Sequence, residues 1–294
     1  MKPFDYLAPT SLAGALAMLA QHPEATPLAG GTNVLVALKE GHLRVETLLS
    51  LRRVPELQSI VHEGGLRIGA GVTMAQIAAD ERIKNEYSAL ATAASLLGSV
   101  QTRNMATLGG NLCNASPSAD SAAPLLVLDA EAVIAGPQGE RQLPLTAFFV
   151  GRGRTALAEG ELLCEIVLPA AFPRCGSAYV RHIPRAAMDI SVVGVAAALS
   201  LDANGLVRRA RLALGAVAPT PVRVPEAEAR IEGRRPDEET LAGAAEIARA
   251  AADPLSDVRA SAEFRYHLVN VLSKRALQAA LAQAIANTGA ADQG

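Results

Sequence analysis

The stretch TLGGNLCNASPSAD, residues 107–120, holds two adjacent glycines, two asparagines, three hydroxyl side chains and an aspartate, with no Lys, Arg or His. A second stretch, AGGTN at residues 29–33, shares the paired glycines with Thr and Asn nearby. These residue types suit one kind of chemistry. Without a Cβ, successive backbone N–H groups can converge on phosphate oxygens, and Thr or Asn adds donors without bulk. A helix opening near Asn33 would add its unpaired amides and positive dipole end. A diphosphate is then held largely without cationic side chains. Each stretch alone is equally a tight turn, because Gly-Gly is common in turns. The tail of the second adds Asn114, Ser116, Ser118 and Asp120 directly before an apolar run that reads as a strand. Asp120 is either a turn or cap residue or an acceptor for a ligand's hydroxyl and ring N–H donors.

Competing signatures fail on context. GRGRTA at residues 151–156 satisfies a GxGxxA pattern after the strand-like AFFV, but Gly160 interrupts the helix that should follow. No acidic residue stands about 20 residues on, where a ribose partner belongs. A GxxxxGK[ST] phosphate loop, an HExxH and a PCxxC are all missing. Cys113, Cys164 and Cys175 are scattered and odd in number, which argues against a disulfide framework and against zinc or iron–sulfur ligation. No metal site is expected in this chain, and no protein acid, base or nucleophile presents itself as catalytic.

The elements that must hold the two glycine stretches follow from periodicity. Leu12, Ala15, Leu16 and Leu19 predict an amphipathic helix after Thr10 and Ser11. TPLAG predicts a strand entering the first stretch, and VLVALK the helix leaving it. TLLSL from Thr47 predicts another strand, and SIVHEGGLRIGAG a hairpin turning at Gly64 and Gly65. Thr73 and Gln76 have capping-box spacing. Leu90, Ala93, Ala94 and Leu97 mark a helix stopping at Gly98, after which SVQTRNMATLGGN reads as a loop. APLLVLDAEAVIA and ERQLPLTAFFV flank a turn at GPQGE, and ELLCEIVLP is a further strand. PAAFPRCG, residues 169–176, concentrates Pro and Gly and places a domain boundary near residue 172. Beyond it lie two strands around DANG and two helical patterns, the second with Phe264, Leu268, Val271 and Leu272 on one face and a fraying tail TGAADQG.

Composition narrows the function classes. Of the 294 residues 50% are hydrophobic, so the chain folds, while aromatics are only 3% and Trp is absent, so stacking platforms for single-stranded nucleic acid are not expected. The net charge of -2, from 27 basic and 29 acidic residues, gives no footprint for nucleic acid or an anionic membrane. No leader and no run long enough to span a membrane is read, so a cytoplasmic location is expected.

Taken in order, PLAGGTNVL, RNMATLGGNLCNASPSADSAAPLL, YVRHIPRAAMDISVVGVAAAL and DVRASAEFRYHL resemble the FAD-binding medium subunit of the molybdenum hydroxylases, the family of aerobic carbon monoxide dehydrogenase and xanthine dehydrogenase. The resemblance covers nearly the whole chain. It implies an α+β fold, with an FAD-binding domain of two α/β subdomains at residues 1–172 and a smaller C-terminal domain of antiparallel strands and helices at residues 173–294. It implies that FAD lies extended between the subdomains. Leu28, Ala29, Gly30, Gly31, Thr32 and Asn33 match the family's first FAD loop, and Thr107, Gly109, Gly110 and Asn111 the second. Asp120 matches the flavin-site aspartate, and Leu163 and Arg181 match positions approaching the isoalloxazine. Some relatives carry Lys where Arg181 stands, and a positive charge there would favour the anionic reduced flavin. Relatives of the hydroxybenzoyl-CoA reductase type carry a cysteine-bearing insertion, of which this chain shows no sign. The resemblance further implies a large molybdopterin-binding subunit, a small subunit with iron–sulfur clusters, and an external electron acceptor. A self-sufficient flavoprotein oxidoreductase is the alternative enzyme, and a flavin-free scaffold subunit is a third reading.

Overall fold

Two units of contact divide the chain, and neither is continuous in sequence. The first comprises Met1–Gln76, Ser99–Ala115 and Ala130–Pro169; the second comprises Ile77–Gly98, Ser116–Asp129 and Ala170–Gly294. The structure is a computed structural model that describes residues 3–185 and 188–291.

In the first unit β1 (Asp5–Leu7), β2 (Thr26–Leu28) and β3 (Thr47–Ser50) form a parallel sheet in the order β1-β3-β2. Parallel neighbours need crossovers, and α1 (Leu12–Gln21) and α2 (Val34–Glu40) provide them. Ser11 caps α1 by accepting from the Gly14 amide at 3.1 Å, and Ala15 and Leu19 turn inward as their spacing predicts. Gly41 ends α2 in the left-handed region, at φ 76°. Central β3 is buried along its length.

The same unit carries a five-stranded antiparallel sheet. Its members are β4 (Ile60–Val61), β5 (Gly65–Gly69), β6 (Glu131–Gly136), β7 (Gly139–Pro144) and β10 (Leu162–Pro169), ordered β4-β5-β10-β6-β7. Between β7 and β10, β8 (Phe149–Gly151) and β9 (Arg154–Thr155) form a small hairpin. GRGRTA is therefore a hairpin turn, with Gly153 at φ 67°, and not a nucleotide loop. The Thr73–Gln76 capping box forms as expected: the Thr73 amide donates to Gln76 Oε1 at 2.9 Å and the Gln76 amide to Thr73 Oγ1 at 3.3 Å, opening α3 (Met74–Ala79).

The second unit begins with α4 (Glu81–Glu86) and α5 (Ser88–Leu96). Residues 99–113, read from sequence as a loop, instead form two six-residue helices of the first unit, α6 (Val100–Met105) and α7 (Leu108–Cys113). Ser99 and Thr107 cap them, accepting from the Thr102 and Gly110 amides. The run after Asp120 also differs from the expected strand: it is α8 (Ala122–Val127), buried on every side. A run apolar at every position has no period to report, so strand and buried helix look alike in sequence.

The second unit's sheet is antiparallel, with β11 (Cys175–His182), β12 (Val193–Leu201), β13 (Val207–Gly215) and β14 (Val222–Arg223) in consecutive order. The DANG turn joins β12 to β13, with Asp202 Oδ1 accepting from the Asn204 and Leu206 amides. Three helices follow, α9 (Pro225–Ile231), α10 (Glu238–Ala251) and α11 (Ala262–Ala291). Alternate residues Val193, Val195, Ala197 and Leu199 of β12 share a core with Leu241 and Ala244 of α10 and Leu268, Leu272, Ala276 and Ala280 of α11. Each buried Leu or Val contributes on the order of 1.5–3 kcal/mol. Phe264, expected on that apolar face, is exposed at 43%. Of the tail expected to fray, Thr288–Ala291 continue α11, and residues 292–294 lie outside the described residues.

Candidate functional site

The first glycine stretch leaves β2 and enters α2. Among the described residues, none of the main-chain amides of 29–33 donates to a protein acceptor, whereas the carbonyls of Gly31 and Asn33 accept from Leu35 and Ala37. Asn33 occupies the N-cap of α2 without making a side-chain cap bond. Donors left unpaired in a row are the condition for holding an anion through the backbone. The two glycines have different reasons. Gly31 needs the left-handed region, at φ 75°. Gly30 needs absence of bulk, since a Cβ there would stand 1.8 Å from the Met105 carbonyl oxygen.

That contact places the first stretch against the second. Here the structure corrects the expectation of converging loop amides. The Leu108 amide donates to Val72 O at 2.9 Å, Gly109 to Ala70 O at 2.8 Å, Gly110 to Thr107 Oγ1 at 3.1 Å and Asn111 to Thr107 O at 3.0 Å. All four are engaged, the first two by the 70–72 segment and the last two by the Thr107 cap and the first turn of α7. Gly109 instead permits close packing, as its Cβ would sit 2.6 Å from Ala70 Cβ. Gly110 is exposed, and a Cβ on it would face Ala29 Cβ at 3.8 Å. The second stretch thus has its amides bonded and Gly110 bare, while the first keeps unpaired amides.

Leu163 lies on the central strand of the five-stranded sheet and is buried. Pairing of β10 with β6 shifts register between Leu163 and Glu165. The Cys164 carbonyl accepts from the Ala70 amide at 2.8 Å, and Ala70 O in turn holds Gly109. The irregularity in β10 is therefore linked through Ala70 to the start of α7.

In the second unit Asp120 and Arg181, assigned separate roles from sequence, meet each other. Arg181 Nη1 donates to Asp120 Oδ2 at 2.5 Å and Nη2 to the Leu96 carbonyl at 2.6 Å. Asp120 Oδ1 accepts from the Tyr179 hydroxyl at 2.6 Å and the Ser191 hydroxyl at 2.7 Å. The pair is nearly enclosed, with side chains 5% and 10% exposed. Arg181 therefore offers no uncompensated positive charge: its partner is a carboxylate. Burial first, then the Asp120 charge, raises the Tyr179 phenol well above its usual value, so Tyr179 remains a donor. Gly194 makes room for that ring, because its Cβ would stand 2.7 Å from the Tyr179 oxygen.

Sequence reading missed Tyr179 and Ser191, which lie 59 and 71 residues from Asp120 and carry no local signal. It also missed Arg52, whose guanidinium touches Met105 Sδ at 3.9 Å and lines a cleft of about 400 Å³ with Arg53, Pro55, Gln58 and Ser59. Among the described residues no cluster of His, Cys, Asp or Glu could hold a metal ion, and no helix is long and apolar enough to cross a membrane. The chemistry available is binding: free amides for a diphosphate in the first unit, and a satisfied carboxylate with spare acceptor capacity in the second.

Comparison with known proteins agrees with that chemistry. A family model for the FAD binding domain in molybdopterin dehydrogenase matches residues 2–171, and one for the CO dehydrogenase flavoprotein C-terminal domain matches residues 178–280. The xanthine dehydrogenase FAD-binding subunit of Escherichia coli O157:H7 is 38% identical over 284 residues, covering 95% of this chain and 97% of that one. A chain of carbon monoxide dehydrogenase from Hydrogenophaga pseudoflava superposes with a TM-score of 0.92 at 34% identity, over 96% of this chain and 99% of that one. Quinoline 2-oxidoreductase from Pseudomonas putida 86 gives 0.90 at 32% identity, over 97% and 99%. With both family models matched in order and relatives of the same length, the chain belongs to the FAD-binding subunits of the molybdenum hydroxylases of the xanthine and carbon monoxide dehydrogenase type.

Proposed function

We propose that this chain is the electron-output subunit of a three-subunit molybdenum hydroxylase, located in the cytoplasm and assembled with a large molybdopterin-binding subunit and a small iron–sulfur subunit. The observation that carries the reading is the row of unengaged amides at 29–33 beside the bare surface of Gly110. FAD, when bound, supplies redox chemistry that takes single electrons from iron–sulfur clusters and delivers pairs to an external acceptor.

The chain's own residues hold and shape. Ala29, Gly30, Gly31, Thr32 and Asn33 donate to the diphosphate, and Thr107, Gly109, Gly110 and Asn111 form the wall that keeps side chains away from it. Leu28 and Leu163 contribute apolar surface. Asp120, oriented by Tyr179, Ser191 and Arg181, accepts from ligand hydroxyl or ring N–H groups. No residue transfers a proton as a catalytic acid or base. Residues 1–172 are assigned to the FAD-binding domain and 173–294 to the C-terminal domain.

The test is the cofactor content of the complex purified after co-expression with its two partner subunits. Flavin absorbance, and FAD in the chromatogram of released cofactor, are expected alongside cluster and molybdenum signals. A complex with clusters and molybdenum but no FAD would refute the reading. Substrate oxidation by the chain alone would instead favour a self-sufficient flavoprotein.

A further inference from the structure

The motif DVRASAEFRYHL belongs to no part of the site described so far, yet it contains a buried cation. Arg265, on the first turns of α11, is 5% exposed. Its Nη1 donates to two carbonyls from distant segments, Val192 O at 2.8 Å and Ala216 O at 3.2 Å, and its Nη2 pairs with Asp257 Oδ1 at 2.8 Å. Nε has no partner. Asp257 is itself fixed, accepting from the amides of Arg259 at 2.8 Å and Ala260 at 3.2 Å. The Arg259 amide first, then Arg265 and the Ala260 amide, hold its carboxyl below the usual range.

Packing does not account for such a residue. An enclosed guanidinium with an orphan N–H and a carboxylate that is 42% exposed is a poorer core element than an apolar side chain of the same volume. What an arginine does here, and an apolar residue would not, is hold two main-chain segments in fixed relation. Both segments lead to Asp120. Val192 follows Ser191, whose hydroxyl donates to Asp120 Oδ1 at 2.7 Å. Ala216, held in the left-handed region at φ 67°, donates its amide to Pro117 O at 2.7 Å, three residues before Asp120.

We infer that Arg265 is a positioning residue for Asp120, fixing through the Val192 and Ala216 carbonyls the placement of the carboxylate that FAD meets. The inference rests on the flavin reading of Asp120. It extends that reading to a residue 145 positions away in sequence, linked to Asp120 through Val192 and Ser191 and through Ala216 and Pro117.

The experiment is a double-mutant cycle on the full chain, read by FAD titration through flavin fluorescence, with a thermal midpoint recorded for every variant. Arg265→Met and Ser191→Ala are each expected to raise the FAD dissociation constant about tenfold, the scale of one hydrogen bond to a charged group. Their combination is expected to stay within about twofold of the worse single variant, because both act on one carboxylate. A purely structural arginine predicts the opposite, effects that multiply, and that result overturns the proposal. So does an FAD affinity unchanged in Arg265→Met. If that variant does not fold, Arg265→Lys enters the same cycle, since an ammonium on a shorter stem keeps the charge but lacks the planar fork that reaches Asp257 and both carbonyls together. Asp120→Asn separates this proposal from the reading beneath it. Unchanged affinity there removes the flavin role of Asp120 and the proposal together; weakened affinity there with an inert Arg265→Met removes the proposal alone.

Discussion

Replacing Gly110 by alanine distinguishes a ligand wall from a helix turn, because a ligand wall predicts weakened FAD binding at nearly unchanged stability and a helix turn predicts unchanged binding. Gly110 lies within α7 with no positive φ, so alanine is the better helix former by about 0.5–1 kcal/mol. The new methyl meets Thr107 Oγ1 at 2.9 Å, relieved by a small rotation of that hydroxyl, and Ala29 Cβ at an ordinary 3.8 Å. Weakening the Thr107 cap costs up to about 1 kcal/mol. Stability should therefore change by less than about 1 kcal/mol in either direction. Binding should not be so indifferent. The methyl occupies the exposed wall beside residues 29–33 and pushes a diphosphate off their amides. One charge-assisted hydrogen bond of about 1.5–3 kcal/mol is lost. That corresponds to a dissociation constant raised roughly 10- to 100-fold. FAD titration of the apo chain, beside its thermal midpoint without FAD, measures both quantities. An affinity within about twofold of the parent, at an unchanged midpoint, would show that this surface does not face the cofactor.

Gly30→Ala should behave differently, because its Cβ would lie 1.8 Å from a carbonyl oxygen and the backbones must part by roughly 1.5 Å; thermal midpoint and FAD affinity should fall together. Asp129, at φ 51°, accepts from Arg209, Arg211 and Arg223. Asp129→Asn keeps the backbone preference but removes the charge, and urea unfolding should register a loss of roughly 1–3 kcal/mol, with FAD affinity unchanged in the folded protein. For Asp257 the folded-state pKa is depressed, so its contribution is complete above the ordinary aspartate value and disappears as pH falls through the lower folded value. The thermal midpoint should drop over that acid window, and Asp257→Asn should remove this part of the dependence.

How far the sequence was legible depended on whether the signal was local. The cap and stripe of α1, the Thr73–Gln76 box and the DANG turn each place signal and consequence within a few residues, and all formed as read. The glycine pair at 109–110 misled, since glycines suggest a loop while the cap that makes them helical, Thr107, had been assigned to the ligand. The reason for Gly30 lay in Met105, and the partner of Arg181 was Asp120, 61 residues away. Such pairings are products of topology, and a single sequence carries no trace of them. Family motifs drew attention to both glycine stretches and to Asp120, but not to the difference between the stretches, one with unpaired amides and the other with amides already bonded.

The interleaving of the two units along the chain has a consequence for synthesis. Helix α8, with six consecutive buried residues, packs against β12 and β13, and α5 against β11, strands encoded far downstream. A growing chain therefore leaves the ribosome with two apolar helices whose cover has yet to be translated, the circumstance in which nascent proteins rely on chaperones. The Asp120 carboxylate waits likewise, since its hydrogen bonds to Tyr179 and Ser191 form only once those residues have been made.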